Sequence, residues 1–437
     1  MLHFADLHFH SKYSRAVSPD MSLDGLNAGA KVKGLTILGT GDFTHPLWFK
    51  ELSERLQPDE SAPGFYRLSG PSGKAVTASD KPDSVRFMLT CEVSTLCSTP
   101  AGAKKVHHIL HVPSLAQAEQ INDVLQRKGN LAADGRPMFG KTMPAELVEL
   151  VRSVSKDVVV VPAHVWTPWF SVFGSNSGFD SVEEGYQDQA KHIFALETGM
   201  SSDPAMNWRI SKLDRFALMS NSDSHSNHPW RLGRECNAFE FSEADVTQNA
   251  NEGKGSRSVQ RLSYDALWNA VRKKDPAHFK FTIETPPEYG KYHWDGHRAC
   301  GFSCPPAKTR DLDGICPKCR RPMTIGVQYR VEQLADRPPG FVPAGVIPFK
   351  TLLPLHELLA AVLGVGVSTK KVQTLADKLM VRAGTELAVL LDLTPNDLAA
   401  AGGAMVTQAI LANRAATISL KPGFDGEYGV PVIEKNA

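Results

Sequence analysis

Histidines and acidic residues that can bind metal ions are concentrated near the start of this chain. Eleven of its fifteen histidines precede residue 230. Asp6, His8 and His10 lie at alternate positions at the end of an apolar run. Alternate side chains of a strand share one face. Two imidazoles and a carboxylate on one face would form half a site for Zn²⁺, Mn²⁺ or Fe, although a surface strand with alternating polar residues shows the same pattern.

Further potential ligands follow later apolar runs. Catalytic groups of barrel folds collect where strands end, and five separate strand ends with such groups are hard to explain as structural coincidence. We therefore expect one site with several metal ions that activates water without a protein nucleophile. The predicted metal ligands are His8, His10, Asp42, His45, Glu92, His107, His164, Asp223 and His225, of which Glu92, Asp223 and His225 are also predicted to be catalytic.

Strand-like and helix-like segments alternate over residues 1–285, which predicts an α/β domain with a mostly parallel sheet or barrel. Helices are expected at residues 143–153 and 206–212, and a polar surface loop at residues 249–258. The predicted strands are residues 2–7, 35–39, 86–92, 105–112, 158–164, 192–197 and 216–220.

Proline-rich breaks divide the rest of the chain. Pro286-Pro287 and Pro338-Pro339-Gly340 predict three domains, at residues 1–285, 286–337 and 338–437. The middle domain carries seven basic residues against three acidic ones between positions 298 and 332. This surplus is equally consistent with a surface that contacts phosphates and with a solvated basic face. It is predicted to bind one structural Zn²⁺ through four thiolates, with His293 and His297 as weaker candidates; the thiolates are those of Cys300, Cys304, Cys316 and Cys319.

The last domain is predicted to be helical. Gly364-Val365-Gly366, followed by Lys370 and Lys371, is typical of a helix-hairpin-helix turn, in which backbone N–H groups hold a phosphate. An ordinary helix cap is the alternative interpretation. Gly402-Gly403 belongs to a fainter second copy.

The net charge of +1, from 48 basic and 47 acidic residues, neither requires nor excludes a nucleic-acid partner. No apolar segment is long enough to predict a membrane span, and the N-terminus shows no signal-peptide pattern. A cytoplasmic protein without a membrane partner is therefore expected.

The order of the metal-binding motifs resembles a known family. Asp6-x-His8-x-His10, Glu92, the His107 region, His164 and Asp223-Ser224-His225 match the motifs of the polymerase-and-histidinol-phosphatase (PHP) family. The resemblance implies a distorted (β/α)₇ barrel that hydrolyses phosphate esters with two or three divalent ions (Zn²⁺, Mn²⁺ or Mg²⁺). The family's second motif usually reads Asp-His, so either Asp42 or His45 can fill that position here. His107 is preferred over its neighbour His108.

Matching segments extend over nearly the whole chain and resemble the endonuclease Q family of DNA-repair nucleases. They include residues 39–46, 162–169, 197–204, 220–226, 290–298 and 422–429. The resemblance implies damaged DNA as the partner, cut 5′ to uracil, hypoxanthine, xanthine or an abasic site, with the protein on the nucleoid when bound. Replication or repair proteins are further candidate partners. The candidate DNA- and lesion-binding residues are Trp166, Thr167, Trp169, Phe170, Ser171, Arg231, Arg234, Lys370 and Lys371.

Two other functions stay open. The same metals could serve a phosphatase or phosphodiesterase for a small molecule, although such an enzyme needs neither the cysteine domain nor the helical one. A DNA-binding protein without catalysis is the second alternative, and the full set of ligands argues against it. The aromatic residues near His164 could equally belong to the core at the barrel mouth.

Overall fold

The computed structural model describes residues 1–69, 85–242 and 260–433. The polar loop predicted at residues 249–258 lies outside this part of the chain. The fold is mixed α/β, as predicted. Its strands are β1 (Leu2–Asp6), β2 (Ile37–Gly39), β3 (Leu56–Pro58), β4 (Tyr66–Leu68), β5 (Arg86–Thr99), β6 (Gly102–Val112), β7 (Met138–Gly140), β8 (Val159–Pro162), β9 (Ala195–Glu197), β10 (Ala217–Met219), β11 (Cys236–Glu240), β12 (Phe279–Glu284), β13 (Asp295–His297), β14 (Phe302–Cys304), β15 (Phe349–Thr351), β16 (Ser419–Lys421) and β17 (Val430–Val432).

Helices cover the sheet and form most of the C-terminal part. They are α1 (Leu23–Lys33), α2 (Pro46–Arg55), α3 (Leu115–Leu125), α4 (Pro144–Val154), α5 (Val182–Tyr186), α6 (Pro204–Asn207), α7 (Tyr264–Lys273), α8 (Pro306–Asp311), α9 (Val327–Leu334), α10 (Leu355–Leu363), α11 (Lys370–Ala383), α12 (Glu386–Leu391) and α13 (Pro395–Arg414).

Each of the seven predicted strands overlaps an observed one, but the sheet is not mostly parallel. β1 pairs with β2 in parallel and with β11 antiparallel, while β5 and β6 form a long antiparallel hairpin. β6 in turn pairs antiparallel with β8. Antiparallel neighbours can be joined directly without a crossover helix, which is why the hairpin interrupts the alternation of strands and helices.

Local signals account for the ends of the helices. Ser22 accepts a hydrogen bond from the backbone of Gly25 at the start of α1, and Gly34 ends that helix with a φ of 97°. The predicted helix at residues 143–153 is confirmed as α4. The one predicted at residues 206–212 is wrong, because α6 ends at Asn207 and a short 3₁₀ turn follows at Ser211–Leu213.

The helical C-terminal part packs against the barrel through buried charge. Nζ of Lys33, the last residue of α1, lies 2.7 Å from Oε1 of Glu386 at the start of α12. The second oxygen of Glu386 is 3.1 Å from Nδ1 of His356. All three side chains are buried. Burial raises the pKa of Glu386, but Lys33 and His356 outweigh this and lower it. Removing one partner of a buried ion pair leaves an uncompensated buried charge, which destabilises the protein. These contacts therefore hold the C-terminal helices in a defined position on the barrel.

Among the described residues, no helix combines the length and apolar character needed to cross a membrane.

Candidate metal centre

His8 and His10 follow β1 directly and place one nitrogen each in a common site. Nδ1 of His8 lies 3.0 Å from Oε1 of Glu197, and Nδ1 of His10 lies 3.0 Å from Oδ1 of Asp42. These carboxylates accept the Nδ1 protons and leave the Nε2 lone pairs free. Both Nε2 atoms are buried without a hydrogen-bond partner among the described residues. A buried, unpartnered imidazole nitrogen whose ring is fixed by a carboxylate fits a metal ligand.

Glu92 is the carboxylate at the centre of the site. Its Oε1 lies 2.8 Å from Nδ1 of His107 and 3.1 Å from Nε2 of His164. Its Oε2 lies 3.5 Å from Nε2 of His10 and 3.2 Å from Nη1 of Arg136. Burial raises the pKa of Glu92, but His107 and His8 outweigh it and hold the pKa well below its ordinary value. These contacts favour the ionised carboxylate of Glu92, which would be one of the residues that hold a metal ion here.

Asp223 and His225 close the site from the loop after β10. The backbone N–H of Asp223 donates to the carbonyl of His8 at 2.9 Å, and its φ is 46°. Oδ1 of Asp223 lies 3.3 Å from Nε2 of His10 and has no hydrogen-bond partner among the described residues. A residue held at positive φ against a neighbouring strand is strained, and such strain is concentrated at functional sites.

These side chains form three overlapping groups. Within each group, the potential ligand atoms all lie within 4.8 Å of one another. Glu92 and His10 each belong to two groups, so the groups form one continuous cluster. Nitrogen and carboxylate oxygen donors of this kind suit Zn²⁺ and Mn²⁺. The groups are His8, His10 and Glu92; His10, Asp223 and His225; and Glu92, His107 and His164.

Burial and neighbouring carboxylates act in opposite directions on the imidazoles. Burial lowers the pKa of His10, but Asp42 and Asp223 outweigh it and raise the pKa to about 9. Burial also lowers the pKa of His107, to about 4, because Glu92 compensates only in part. A metal ion binds only deprotonated imidazoles, so a cation bound among these side chains would displace any proton from the imidazole nitrogens that face the carboxylates.

The second motif does not contribute to the three groups. Asp42 accepts hydrogen bonds from the backbone and hydroxyl of Ser11 and orients His10. The ring of His45 instead stacks on Tyr13, with the ring centroids 4.6 Å apart. The structure therefore places Asp42 against His10 and His45 outside the three groups, and the expectation that one of the two is a ligand stays a prediction.

His107 and His108 point to opposite sides of β6, as expected from strand alternation. Nε2 of His108 lies 2.9 Å from Oγ1 of Thr95, and its Nδ1 lies 2.8 Å from the hydroxyl of Tyr186. Both nitrogens of His108 are therefore occupied away from the site, while His107 contacts Glu92.

Two important residues were missed by sequence reasoning. Glu197, at the end of β9, contacts both His8 and the backbone N–H of His164 at 3.0 Å. It is a carboxylate at a strand end, the same signal that singled out Glu92. Arg136 reaches Glu92 from the loop before β7, and no local pattern in the sequence marks it.

A cavity of about 510 Å³ adjoins the cluster. Thr167, Arg231 and Arg234, three of the residues predicted to contact a substrate, line this cavity, and the contact itself stays a prediction. The hydroxyl of Ser171 donates to the carbonyl of His164 at 2.6 Å and lies 3.1 Å from Nδ1 of that residue. Ser171 is therefore placed to orient His164. The complete lining is Ala16, His164, Thr167, Gly199, Met200, Ser201, Asn221, Asp223, His225, Ser226, Arg231, Arg234, Lys291, Tyr292 and Tyr428.

The aromatic residues near His164 divide into core and surface. Trp166 is buried, packs on Phe173, and donates its indole N–H to Asn207 at 2.9 Å. The prediction that Trp166 contacts the lesion is therefore wrong, because its only polar atom is used in the core. Trp169 is exposed, and its ring lies 5.9 Å from that of Tyr292, a residue of the cavity wall. The ring of Phe170 packs on His107 at 4.6 Å.

The cysteine segment forms a second and separate cluster. His297, Cys300, Cys316 and Cys319 bring their ligand atoms within 4.8 Å of one another. Cys304 lies outside this group, with its Sγ 3.3 Å from the hydroxyl of Thr309. The structure therefore groups His297 with three of the four predicted cysteines, and ligation by the fourth, Cys304 on the neighbouring strand β14, stays a prediction.

The basic surplus of this segment is partly neutralised. Arg310 lies 2.6 Å from Glu332, and Arg298 lies 3.5 Å from Glu427. Arg330 is buried and donates to the carbonyl of Phe173 at 3.0 Å. These arginines therefore contribute to packing as well as to surface charge.

The C-terminal helices contain the predicted hairpin. Gly364 ends α10 with a φ of 64°, and α11 begins at Lys370. Lys370 and Lys371 are exposed at the start of α11. The fainter second copy lies inside α13, which bends at Gly403, where φ is 80°.

Comparison with known proteins relates the whole chain to solved structures. It matches the lesion-specific endonuclease PfuEndoQ from Pyrococcus furiosus with 31% identity and a TM-score of 0.81, covering 100% of this chain and 96% of that one. An endonuclease Q bound to a 27-mer duplex with an abasic lesion at its active site matches with the same identity and TM-score, over 100% and 97% of the two chains.

Sequence relatives add a domain match. Residues 354–417 match the family model of the MJ0043 C-terminal domain. Protein MJ0043 of Methanocaldococcus jannaschii is 30% identical over 269 residues, which are 60% of this chain. The matched region spans about a third (31%) of that longer relative.

Proposed function

The chain belongs to the endonuclease Q family, and from that premise we propose that it is a metal-dependent DNA-repair endonuclease. It hydrolyses the phosphodiester 5′ to a deaminated base (uracil, hypoxanthine or xanthine) or an abasic site. The observation that carries the proposal is a cluster of seven metal-binding side chains, with unpartnered buried atoms on His8, His10 and Asp223, beside a cavity lined by basic side chains.

The proposed ligands are the seven side chains of the three groups. Two or three divalent ions bound there would activate a water molecule and stabilise the charge that develops on the phosphoryl oxygens. Glu197 and Asp42 fix the rings of His8 and His10 through their Nδ1 atoms. Ser171 orients His164 in the same way. These outer contacts keep the ligands in place before substrate binds.

The cavity is the proposed binding place of the damaged nucleotide. An enzyme that cuts beside a lesion gains access by taking the nucleotide out of the stack, which costs least where pairing is already weak. Thr167 supplies a hydroxyl at the cavity wall, and Trp169 supplies an exposed ring next to Tyr292. Arg231 is the proposed phosphate contact. Arg234 donates to the carbonyl of Ser222 at 2.8 Å and supports the loop.

The two C-terminal parts extend the proposed DNA surface. The hairpin before Lys370 and Lys371 is suited to hold a backbone phosphate without reading sequence. The cysteine cluster is proposed to bind one structural Zn²⁺, which would fix the small β13–β14 unit beside the barrel. A protein that acts on chromosomal DNA is expected in the cytoplasm, on the nucleoid when bound.

The test is cleavage of a labelled duplex with a single deoxyuridine, deoxyinosine, deoxyxanthosine or abasic site. We expect a nick immediately 5′ of each lesion, none in an undamaged duplex, and none after chelation. Intact lesion DNA under several divalent metals, together with turnover of a small phosphate ester, would favour a small-molecule phosphatase instead. Binding to lesion DNA without a nick would favour the non-catalytic alternative.

A further inference from the structure

One wall of the cavity is built from three segments that are far apart in the sequence. Arg231 and Arg234 lie in the loop after the Asp223–His225 ligands, and Lys291 follows β12. Tyr428 comes from the C-terminal tail, between β16 and β17. All four residues line the cavity next to Asp223 and His225. The tail therefore contributes directly to the wall beside the metal cluster.

Tyr428 is the residue on which the three basic side chains converge. Nζ of Lys291 lies 4.6 Å from the centroid of its ring, and the guanidinium carbon of Arg231 lies 4.8 Å from it. Arg234 donates from Nη1 to the hydroxyl oxygen of Tyr428 at 3.2 Å. Burial raises the pKa of Tyr428, but Arg234, Arg231 and Lys291 outweigh it and lower the pKa. The wall is thus strongly electropositive.

Backbone hydrogen bonds and a close approach at a glycine fix the C-terminal tail, and with it the position of Tyr428. The backbone N–H of Gly429 donates to the carbonyl of Tyr289 at 3.0 Å, and that of Gly423 donates to the carbonyl of Glu288 at 2.8 Å. A Cβ added at Gly429 would lie 2.0 Å from the carbonyl oxygen of Glu288. The approach therefore requires glycine, and the backbone on both sides of Tyr428 is fixed against the barrel.

A phenol ring attracts cations without cancelling their charge, unlike a carboxylate. Among the described residues, Lys291 forms no ion pair, and Arg231 has only Glu357, at 3.6 Å. The charge of Lys291 therefore remains available to an anion in the cavity. That of Arg231 is neutralised only in part, although its Nη1 also donates to the hydroxyl of Tyr289 at 3.3 Å. The ring of Tyr428 also has Tyr289 beside it, with the centroids 5.4 Å apart, so much of its surface is already in contact with protein.

We propose that Tyr428 is a positioning residue that holds Lys291 and Arg231 as a clamp for a backbone phosphate adjacent to the one that is cut. This inference rests on the proposed nuclease function. The clamp contacts the DNA backbone and not the damaged base. Every lesion carries the same phosphates, so the clamp acts equally on duplexes with a damaged base and on duplexes that lack the base altogether.

The experiment measures kcat and KM of the full-length protein on two duplexes, one with a deoxyuridine and one with an abasic site. The variants are Tyr428→Leu, Tyr428→Phe and Lys291→Met. Lys350→Met and Phe281→Leu are the matched controls, because Lys350 stands over the ring of Phe281 at 5.2 Å, outside the cavity lining. Thermal unfolding of each variant separates a loss of the clamp from a loss of the fold.

Tyr428→Leu and Lys291→Met are each expected to raise KM about tenfold on both duplexes, with kcat changed less than about threefold. Tyr428→Phe keeps the ring and is expected to lose less than Tyr428→Leu. Losing one phosphate contact in Lys291→Met is expected to reduce the slope of log(kcat/KM) against log salt by about 1. The controls are expected to match the unmodified protein.

A loss confined to the deoxyuridine duplex would overturn the inference and make Tyr428 a base-stacking residue. An unchanged KM in either Tyr428→Leu or Lys291→Met would also overturn it, as would a fall in kcat with KM unchanged. If the unmodified protein cuts neither duplex, the proposed nuclease function itself fails, and that outcome is visible before any variant is compared.

Discussion

The two clusters of metal-binding side chains differ in how the chain builds them. The barrel cluster draws residues from positions 8 to 225, whereas the cysteine cluster uses residues 297 to 319. In the barrel, strands carry each ligand to the site, and carboxylates such as Glu197 fix the rings. In the cysteine segment, two short strands and a few turns bring the potential ligands together. The first cluster therefore depends on the whole domain, and the second would depend on the Zn²⁺ proposed to bind it.

This difference predicts that damage to the barrel cluster abolishes activity while the fold survives. Asp223→Asn is expected to lower cleavage by about 10³-fold, because the variant weakens a ligand and the electrostatic contacts of the transition state. Its unfolding temperature is expected to stay close to that of the unmodified protein. Asp188→Asn, an exposed site elsewhere on the barrel, is the control. Activity within tenfold of normal in Asp223→Asn would contradict the assignment.

Damage to the cysteine cluster is expected to have the opposite effect. Cys316→Ser is expected to lose the bound Zn²⁺ and destabilise the protein by about 4 kcal/mol, the range associated with loss of a structural metal. Elemental analysis and chemical denaturation check this. Cys236→Ser, at a buried cysteine far from the cluster, is the control for loss of a buried thiol. A Cys316→Ser protein that keeps its full zinc content and stability would show that the cluster is not a metal site.

A substitution of Glu197, the carboxylate that contacts His8, tests whether the orientation of the ligands matters in the barrel cluster. Glu197→Gln retains the shape of the side chain but weakens the hydrogen bonds to His8 and His164. We expect metal affinity or activity to fall about 10- to 100-fold. Added metal should restore part of the activity. Glu183→Gln, at an exposed position, serves as the comparison, and equal activity of the two variants would remove the orienting role.

The smallest expected effect distinguishes the ligands of the cysteine cluster. Cys304→Ser is expected to keep the zinc and to cost at most about 1 kcal/mol, because Cys304 contacts Thr309 outside the cluster. His297→Ala is expected to lose zinc. The reverse pattern, with zinc retained in His297→Ala and lost in Cys304→Ser, would restore the four-cysteine assignment.

The sequence was informative where a potential metal ligand lies at the end of a predicted strand, and this signal identified much of the barrel site. His8 and His164 follow buried strands, Glu92 lies within β5, which extends beyond the predicted end at residue 92, and the structure brings all three into the overlapping groups. Strand alternation also separated His107 from His108 correctly. The antiparallel pairing of β11 and β12 was not predicted: residues 279–284 do alternate between apolar and polar side chains, but such alternation does not reveal which strand pairs with which or in which direction.

The errors share a physical cause, which is that spacing does not reveal what a side chain meets in space. The spacing of Cys300 and Cys304 suits one site, yet it does not reveal that β13 brings His297 to the same cluster. Trp166 is adjacent to the pocket in sequence, yet its indole N–H is satisfied by Asn207, 41 residues away. Tyr428 could not be assigned a role, since its partners lie 137 and more residues earlier in the chain.

The most direct test of the central claim is a count of metal ions in the purified full-length protein, combined with cleavage. We expect two or three ions in the barrel in addition to one in the cysteine cluster. Mild chelation should remove the barrel ions together with cleavage of a deoxyuridine duplex, and returning a divalent metal should restore both. A protein that cuts the duplex with only the cysteine-bound ion present would contradict the account.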